Sequence, residues 1–231
     1  MIPAGAGSDG YAVACRATAC FVMAGIITAI EPQKRNQERV NVYLDGQFAF
    51  GLAAVEAAHL RAGQYLAAEE IARLQERDAV ERALQAAMNL LSYRPRSRAE
   101  LQQRLAQKGY ADQTIEEALG RLERSGLVDD CAFARYWVEN RAQGSPRGQP
   151  VLQGELARKG VDRQLIDQAL ADYDEEAAAE QVAARIARRL QGLDRATFRR
   201  RLVDALRRRG FAYDVIEPLV IRMLEAYDVG K

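Results

Sequence analysis

Between Arg185 and Arg209 the chain places ten arginines but only two acids, Asp194 and Asp204. Guanidinium groups hold phosphate and carboxylate through paired N–H donors, so the chemistry on offer is anion recognition. A second basic cluster, Tyr93-Arg94-Pro95-Arg96-Ser97-Arg98, sets three arginines beside an aromatic ring. Groups suited to catalysis are sparse. His59 is the sole histidine and lies in an Ala/Leu-rich stretch that reads as helix, where a structural role outweighs that of a base. Cys15 and Cys20 have no third and fourth ligand at metal spacing. Gly144-Ser145-Pro146-Arg147-Gly148 lacks the Lys-Ser/Thr ending of a phosphate loop. Asp129-Asp130 reads as a helix N-cap. These features predict a protein that binds rather than catalyses, with no metal and no cofactor.

Composition narrows the partners. The net charge is only +1, so no global field drives the chain onto nucleic acid or membrane, and any basic surface must be local. With 48% hydrophobic and 28% charged residues the chain is expected to fold. Its three cysteines, Cys15, Cys20 and Cys131, form no disulfide framework, which points to a reducing, cytoplasmic setting. No apolar run is long and uncharged enough to span a bilayer. Residues 1–22 are Gly/Ala-rich without a clear period and are expected to form a mobile tail, with Met23 an alternative start.

The elements that would position these side chains fall into two kinds. From Gly25 to Gly51 apolar residues alternate, with Val40, Val42 and Leu44 before Asp45-Gly46, and Phe48 and Phe50 after it. Asp-Gly between alternating runs predicts a β-hairpin, and Pro32–Arg39 reads as a polar, basic loop. From about Leu52 the pattern is helical and self-similar. Aligned on Gly109, Gly160 and Gly210, three segments each carry leucines eight and four residues earlier: Leu101 and Leu105, Leu152 and Leu156, Leu202 and Leu206. Each also has an isoleucine six residues later: Ile115, Ile166 and Ile216. Leucines four apart line one helix face, and the glycine suits a left-handed C′ position. Lys108, Lys159 and Arg209 directly precede it, where a cation complements the helix end. Asp112 and Asp162 are expected to cap the next helix, and Ser97-Arg98-Ala99-Glu100 is a capping box. Apolar helices over Ala79–Leu91, Asp130–Arg141 and Glu175–Leu190 complete three units of about fifty residues.

On the helix following Asp194, Phe198, Leu202, Ala205 and Leu206 face inward, leaving Arg199, Arg200, Arg201, Arg207 and Arg208 outward. Two readings stand for that face: a binding surface for phosphate or an acidic protein, or a solvated face with internal pairing. An acidic patch, Asp172, Asp174, Glu175, Glu176 and Glu180, lies just upstream. In the second unit Phe133 and Trp137, four apart, read as core, and Arg141 marks where that face meets solvent.

The strings LLSYRPRSRAEL (90–101), L-x-x-K-G-Y (105–110), GLVDD-x-x-FAR-x-W (126–137) with Arg141, and EL-x-x-KGV (155–161) together resemble the RecX regulatory-protein family over roughly Ile26 to Leu224. The resemblance implies a mainly α fold: three tandem three-helix, helix-turn-helix-like repeats in an elongated array, after a small N-terminal β-hairpin element. The expected division is a disordered tail over 1–22, the β-element and a connecting helix over 23–66, and repeats over 67–126, 127–173 and 174–231. It further implies a monomeric, non-enzymatic partner of the RecA filament on DNA that inhibits ATPase, strand exchange and filament growth, and so modulates repair and the SOS response. Partner contacts are expected from Tyr93, Arg94, Arg96, Arg98, Lys108, Arg141, Arg147 and Lys159. DNA or acidic-surface contacts are expected from Arg199, Arg200, Arg201, Arg207 and Arg208. The alternative is a stand-alone DNA-binding helical-repeat protein; direct DNA binding beside RecA would be weak, and no membrane is involved.

Overall fold

A computed structural model of the chain describes residues 24–34 and 36–229. The expected tail over 1–22, with Cys15 and Cys20, lies outside them. The described residues fall into two compact units divided between Asp78 and Ala79.

The first unit is a four-stranded antiparallel sheet of order β3-β2-β1-β4, formed by β1 (Gly25–Gln33), β2 (Asn36–Leu44), β3 (Gln47–Ala53) and β4 (Tyr65–Leu66). The period-two pattern holds: Val40, Val42, Leu44, Phe50 and Leu52 are buried on one face with Ile27, Leu66, Ile71 and Leu74. Asp45 and Gly46 take φ of 48° and 81°, the two positive values a tight hairpin turn requires. Pro32–Arg39 is not a loop. Strands β1 and β2 run through it, pairing Pro32 with Val40 and Gln33 with Asn36, because ladder bonds need no apolar side chains. The helical reading from Leu52 also starts too early. After α1 (Ala54–Ala57) the chain turns through Gly63, at φ 88°, and adds β4 against Gly25 and Ile26. His59 lies exposed in that turn rather than in a helix. Two-residue β4 is too short to show a period. Asp78 is 3% exposed; its carboxylate pairs with Arg39 Nη1 and Nη2 at 2.9 Å each and accepts the Ala53 N–H at 2.9 Å.

The second unit carries the three repeats. The first uses the end of α2 (Ala68–Leu91) with α3 (Arg98–Gln107) and α4 (Asp112–Arg124). The second is α5 (Asp130–Gly144), α6 (Gln149–Arg158) and α7 (Arg163–Leu170). The third is α8 (Glu175–Ala187), α9 (Arg195–Arg207) and α10 (Tyr213–Val229). The repeat-defining leucines are all inaccessible to solvent, and Ile115, Ile166 and Ile216 are buried with them. Burying each leucine contributes about 2 kcal/mol relative to exposure, so the sequence register is the core register. Gly109, Gly160 and Gly210 take φ of 86°, 74° and 81° as the left-handed C′ residues. Asp162 caps α7 through the Gln164 N–H, but Ala111 is the N-cap of α4 and Asp112 sits inside its first turn.

Adjacent repeats meet through one recurring joint. The N-cap of α3 or α6 donates to the carbonyl preceding the next repeat's glycine: Ser97 Oγ to Lys159 at 2.6 Å, Gly148 N–H to Arg209 at 3.0 Å. The first residue of α5 or α8 accepts the following N–H: Asp130 from Arg98 at 2.8 Å, Glu175 from Gln149 at 3.0 Å. Burial raises both carboxyls above their usual range despite those bonds.

Candidate functional site

The family-like strings converge where repeats one and two meet. Trp137 and Arg141 are one turn apart on α5, and the Arg141 guanidinium lies 4.9 Å from the Trp137 ring centre. The Lys159 ammonium, at the end of α6, lies 4.3 Å from the same ring. Aromatic faces attract cations through their quadrupole, so the indole holds two positive charges near one another. Trp137 Nε1 and Arg141 Nε both donate to Glu155 Oε2 at 2.8 Å. Glu100, on α3, accepts from Arg94 and from Lys159 Nζ at 2.9 Å each. Burial pushes the Glu100 carboxyl up, but the bonds from Arg94 and Lys159 outweigh it and bring it to about 2. The hydrogen bond to Glu100 raises Arg94 in turn. Glu100, Trp137, Arg141, Glu155 and Lys159 line an open pocket with Gln103 and Arg158.

The expected contact residues therefore divide. Arg94, Arg141 and Lys159 are bound into this network, and Arg98 pairs with Glu116 at 2.6 Å and Glu123 at 2.8 Å. Arg96 Nε donates to the Leu90 carbonyl at 3.0 Å, and burial followed by repulsion from Arg94 lowers its proton affinity. Tyr93 is 85% exposed. Lys108 is exposed with no ion pair among the described residues. The capping box is half realised: Ser97 accepts the Glu100 N–H at 3.2 Å, while the Glu100 carboxylate turns to Arg94 and Lys159. From the sequence Glu100 takes only a capping role and Glu155 none, because a glutamate on a helix has no pattern that marks it as the centre of a network.

The third repeat differs. Phe198, Leu202 and Leu206 are buried, and Arg199, Arg200, Arg201 and Arg207 on α9, with Arg208 at its C-cap, are exposed with no carboxylate partner among the described residues. Three acids of the patch upstream are engaged locally: Asp174 caps α8, Glu175 serves the joint and Glu180 pairs with Arg222 at 3.0 Å. Arg147 gives its carbonyl to the Tyr173 hydroxyl at 2.7 Å, while its Nε is buried without a hydrogen-bond partner. Taken together, the surface offers cation donors for anionic groups. Among the described residues no group of three or more His, Cys, Asp or Glu is arranged to hold a metal ion. No helix among them is long and apolar enough to cross a membrane.

Four family models match the chain in order: the regulatory protein RecX N-terminal domain over 25–66, and the first, second and third RecX three-helix domains over 83–122, 129–170 and 174–220. The regulatory protein RecX of Bacillus licheniformis is 36% identical over 195 residues, which span 82% of this chain and 74% of the relative. That of Bacillus pumilus is 32% identical over 207 residues, 87% of this chain and 78% of the relative. A crystal structure of a regulatory protein RecX superposes with a TM-score of 0.68 at 26% identity, covering 84% of this chain and 98% of that one.

Proposed function

The chain belongs to the RecX regulatory protein family, and on that premise we propose that it modulates the RecA recombinase by binding its filament on DNA. In this reading it acts in the cytoplasm as a monomer and turns over no substrate. It inhibits RecA's ATPase, strand exchange and filament growth, restraining repair and SOS signalling. The observation that carries the reading is the presence of all four family segments in order. The recurring joint supports it, since units related by one repeated step can follow a helical groove. Tyr93 and Lys108, both exposed, and the α9 arginines are the contacts the reading assigns to the filament. Adding the purified chain to RecA on single-stranded DNA is expected to lower ATP turnover and to bring the chain down with the filament on sedimentation. Unchanged turnover without co-sedimentation would overturn the reading.

One observation favours a second reading, direct DNA binding: Arg199, Arg200, Arg201 and Arg207 on α9, and Arg208 at its C-cap, are exposed with no carboxylate partner among the described residues. Oligonucleotide binding without RecA, falling steeply with salt as counterions are released, would support it.

A further inference from the structure

We infer that Arg147, Arg185, Arg189 and Arg209, gathered where the second repeat meets the third, form a binding site for a phosphate group. The joint itself brings them together. The Gly148 N–H bonds to the Arg209 carbonyl at 3.0 Å, so Arg147 and Arg209 adjoin in space. The Tyr173 hydroxyl, which burial holds protonated with a pKa of about 12, fixes the Arg147 carbonyl from the other side. Arg185 stands in the last turn of α8 and Arg189 one turn beyond it, both exposed. All three lie close enough to Arg209 to add, after its burial, to the lowering of its proton affinity.

Like charges so placed are costly unless an anion joins them. Elsewhere in this unit the chain supplies that anion itself: Glu100 for Arg94, Glu116 for Arg98, Glu81 for Arg121 and Glu155 for Arg141. Here no carboxylate pairs with any of the four among the described residues. The ends of α8 and α9 attract cations through their dipoles, but that effect is weak at an exposed helix end and supplies no acceptor to the buried Arg147 Nε. A phosphate supplies both the charge and several acceptor oxygens, and guanidinium forks match its geometry. The carrier is either a nucleic-acid backbone or a free phosphate compound. The inference rests on the filament reading only for the choice of a DNA backbone as carrier.

The test uses the full chain without RecA, so its failure leaves the filament reading standing, and the reverse. Inorganic phosphate, compared with chloride at equal ionic strength, is expected to raise the thermal unfolding midpoint of the unsubstituted chain. Arg189→Gln and Arg147→Gln should lose most of that shift, whereas Arg124→Gln, an exposed position outside the cluster and outside the α9 face, should keep it. In chloride alone Arg189→Gln should unfold no earlier than the unsubstituted chain, because it removes repulsion. In a second arm, a labelled single-stranded oligonucleotide should bind Arg189→Gln roughly tenfold more weakly if the carrier is a nucleic acid. Undiminished oligonucleotide binding with a lost phosphate shift keeps the site and assigns it to free phosphate. A phosphate shift that is absent, or equal in all three variants, overturns the site.

Discussion

The Ser97 hydroxyl donates to the Lys159 backbone carbonyl across 2.6 Å, joining the start of α3 to the end of α6. The same oxygen accepts the Glu100 N–H, so one buried side chain both caps a helix and bonds a neighbouring repeat. In the next joint Gly148 uses its backbone N–H for the second task and leaves the first undone. In the third repeat the N-cap of α9 is Asp194, whose carboxylate accepts the Thr197 N–H at 2.9 Å. Phe198, as far before Gly210 as Ser97 is before Gly109, lies inside that helix and stacks at 4.4 Å on Tyr227, whose hydroxyl bonds the Leu193 carbonyl at 2.7 Å.

Replacing Ser97 by Ala strands both the Lys159 carbonyl and the Glu100 N–H. The expected cost is about 1–3 kcal/mol, read as a lower urea midpoint at unchanged slope. A midpoint equal to that of the unsubstituted chain would mean that the joint carries no stability.

The three C′ glycines should respond unequally to alanine. All have positive φ, so each substitution carries about 1–2 kcal/mol of left-handed strain. A Cβ at Gly109 meets nothing within 4 Å, whereas one at Gly160 collides with Ala99 and one at Gly210 with Val151, across the joints. Gly160→Ala and Gly210→Ala should therefore unfold at clearly lower denaturant than Gly109→Ala. Three equal midpoints would show that strain alone decides.

That contrast also marks what the sequence could convey. The leucine–glycine–isoleucine register lay in the sequence because helical periodicity and a left-handed C′ residue leave local signatures, and it placed all nine of those side chains correctly. The joint was not legible: it pairs Ser97 with Lys159 and Gly148 with Arg209, far apart in the chain, and both bonds end on backbone carbonyls that every residue owns. The arginine strings were visible as charge, but whether each would be paired depended on glutamates brought in by tertiary packing. Glu100 satisfies Arg94, and among the described residues no carboxylate pairs with Arg209. Strand β4 escapes notice since two residues carry no period, and only Pro32–Arg39, the polar end of the β1–β2 pair, reads as a loop since its side chains largely face solvent.

Acid should weaken the first joint through Glu100. Its carboxyl falls from an ordinary 4.5 to about 2 in the fold, so the folded state favours the ionised form. That contribution is complete above about pH 4.5 and is lost as pH falls toward 2. Asp130 and Glu175, raised by burial, act in the opposite direction, so the difference between the unsubstituted chain and Glu100→Gln isolates the Glu100 part. Trp137, the only tryptophan, stacks on Lys159 and reports the change by fluorescence. Parallel pH–stability curves for the two proteins between 4.5 and 2 would refute this assignment.

Charge reversal separates binding from folding. Arg199, Arg200 and Arg201 are exposed and touch no carboxylate among the described residues, so glutamate at all three should shift unfolding by no more than about 0.5 kcal/mol per site. Arg141→Glu instead sets a carboxylate against Glu155 and removes a cation from the Trp137 face, a loss of about 1–3 kcal/mol. If α9 is the contact surface, the triple variant should keep its fold by circular dichroism and fail to sediment with RecA filaments. A mild variant at the Trp137 network, Arg141→Lys, should lose stability but still sediment. The reverse pattern, with α9 silent and Arg141→Lys unable to sediment at a temperature where it is folded, would move the contact surface to the first joint.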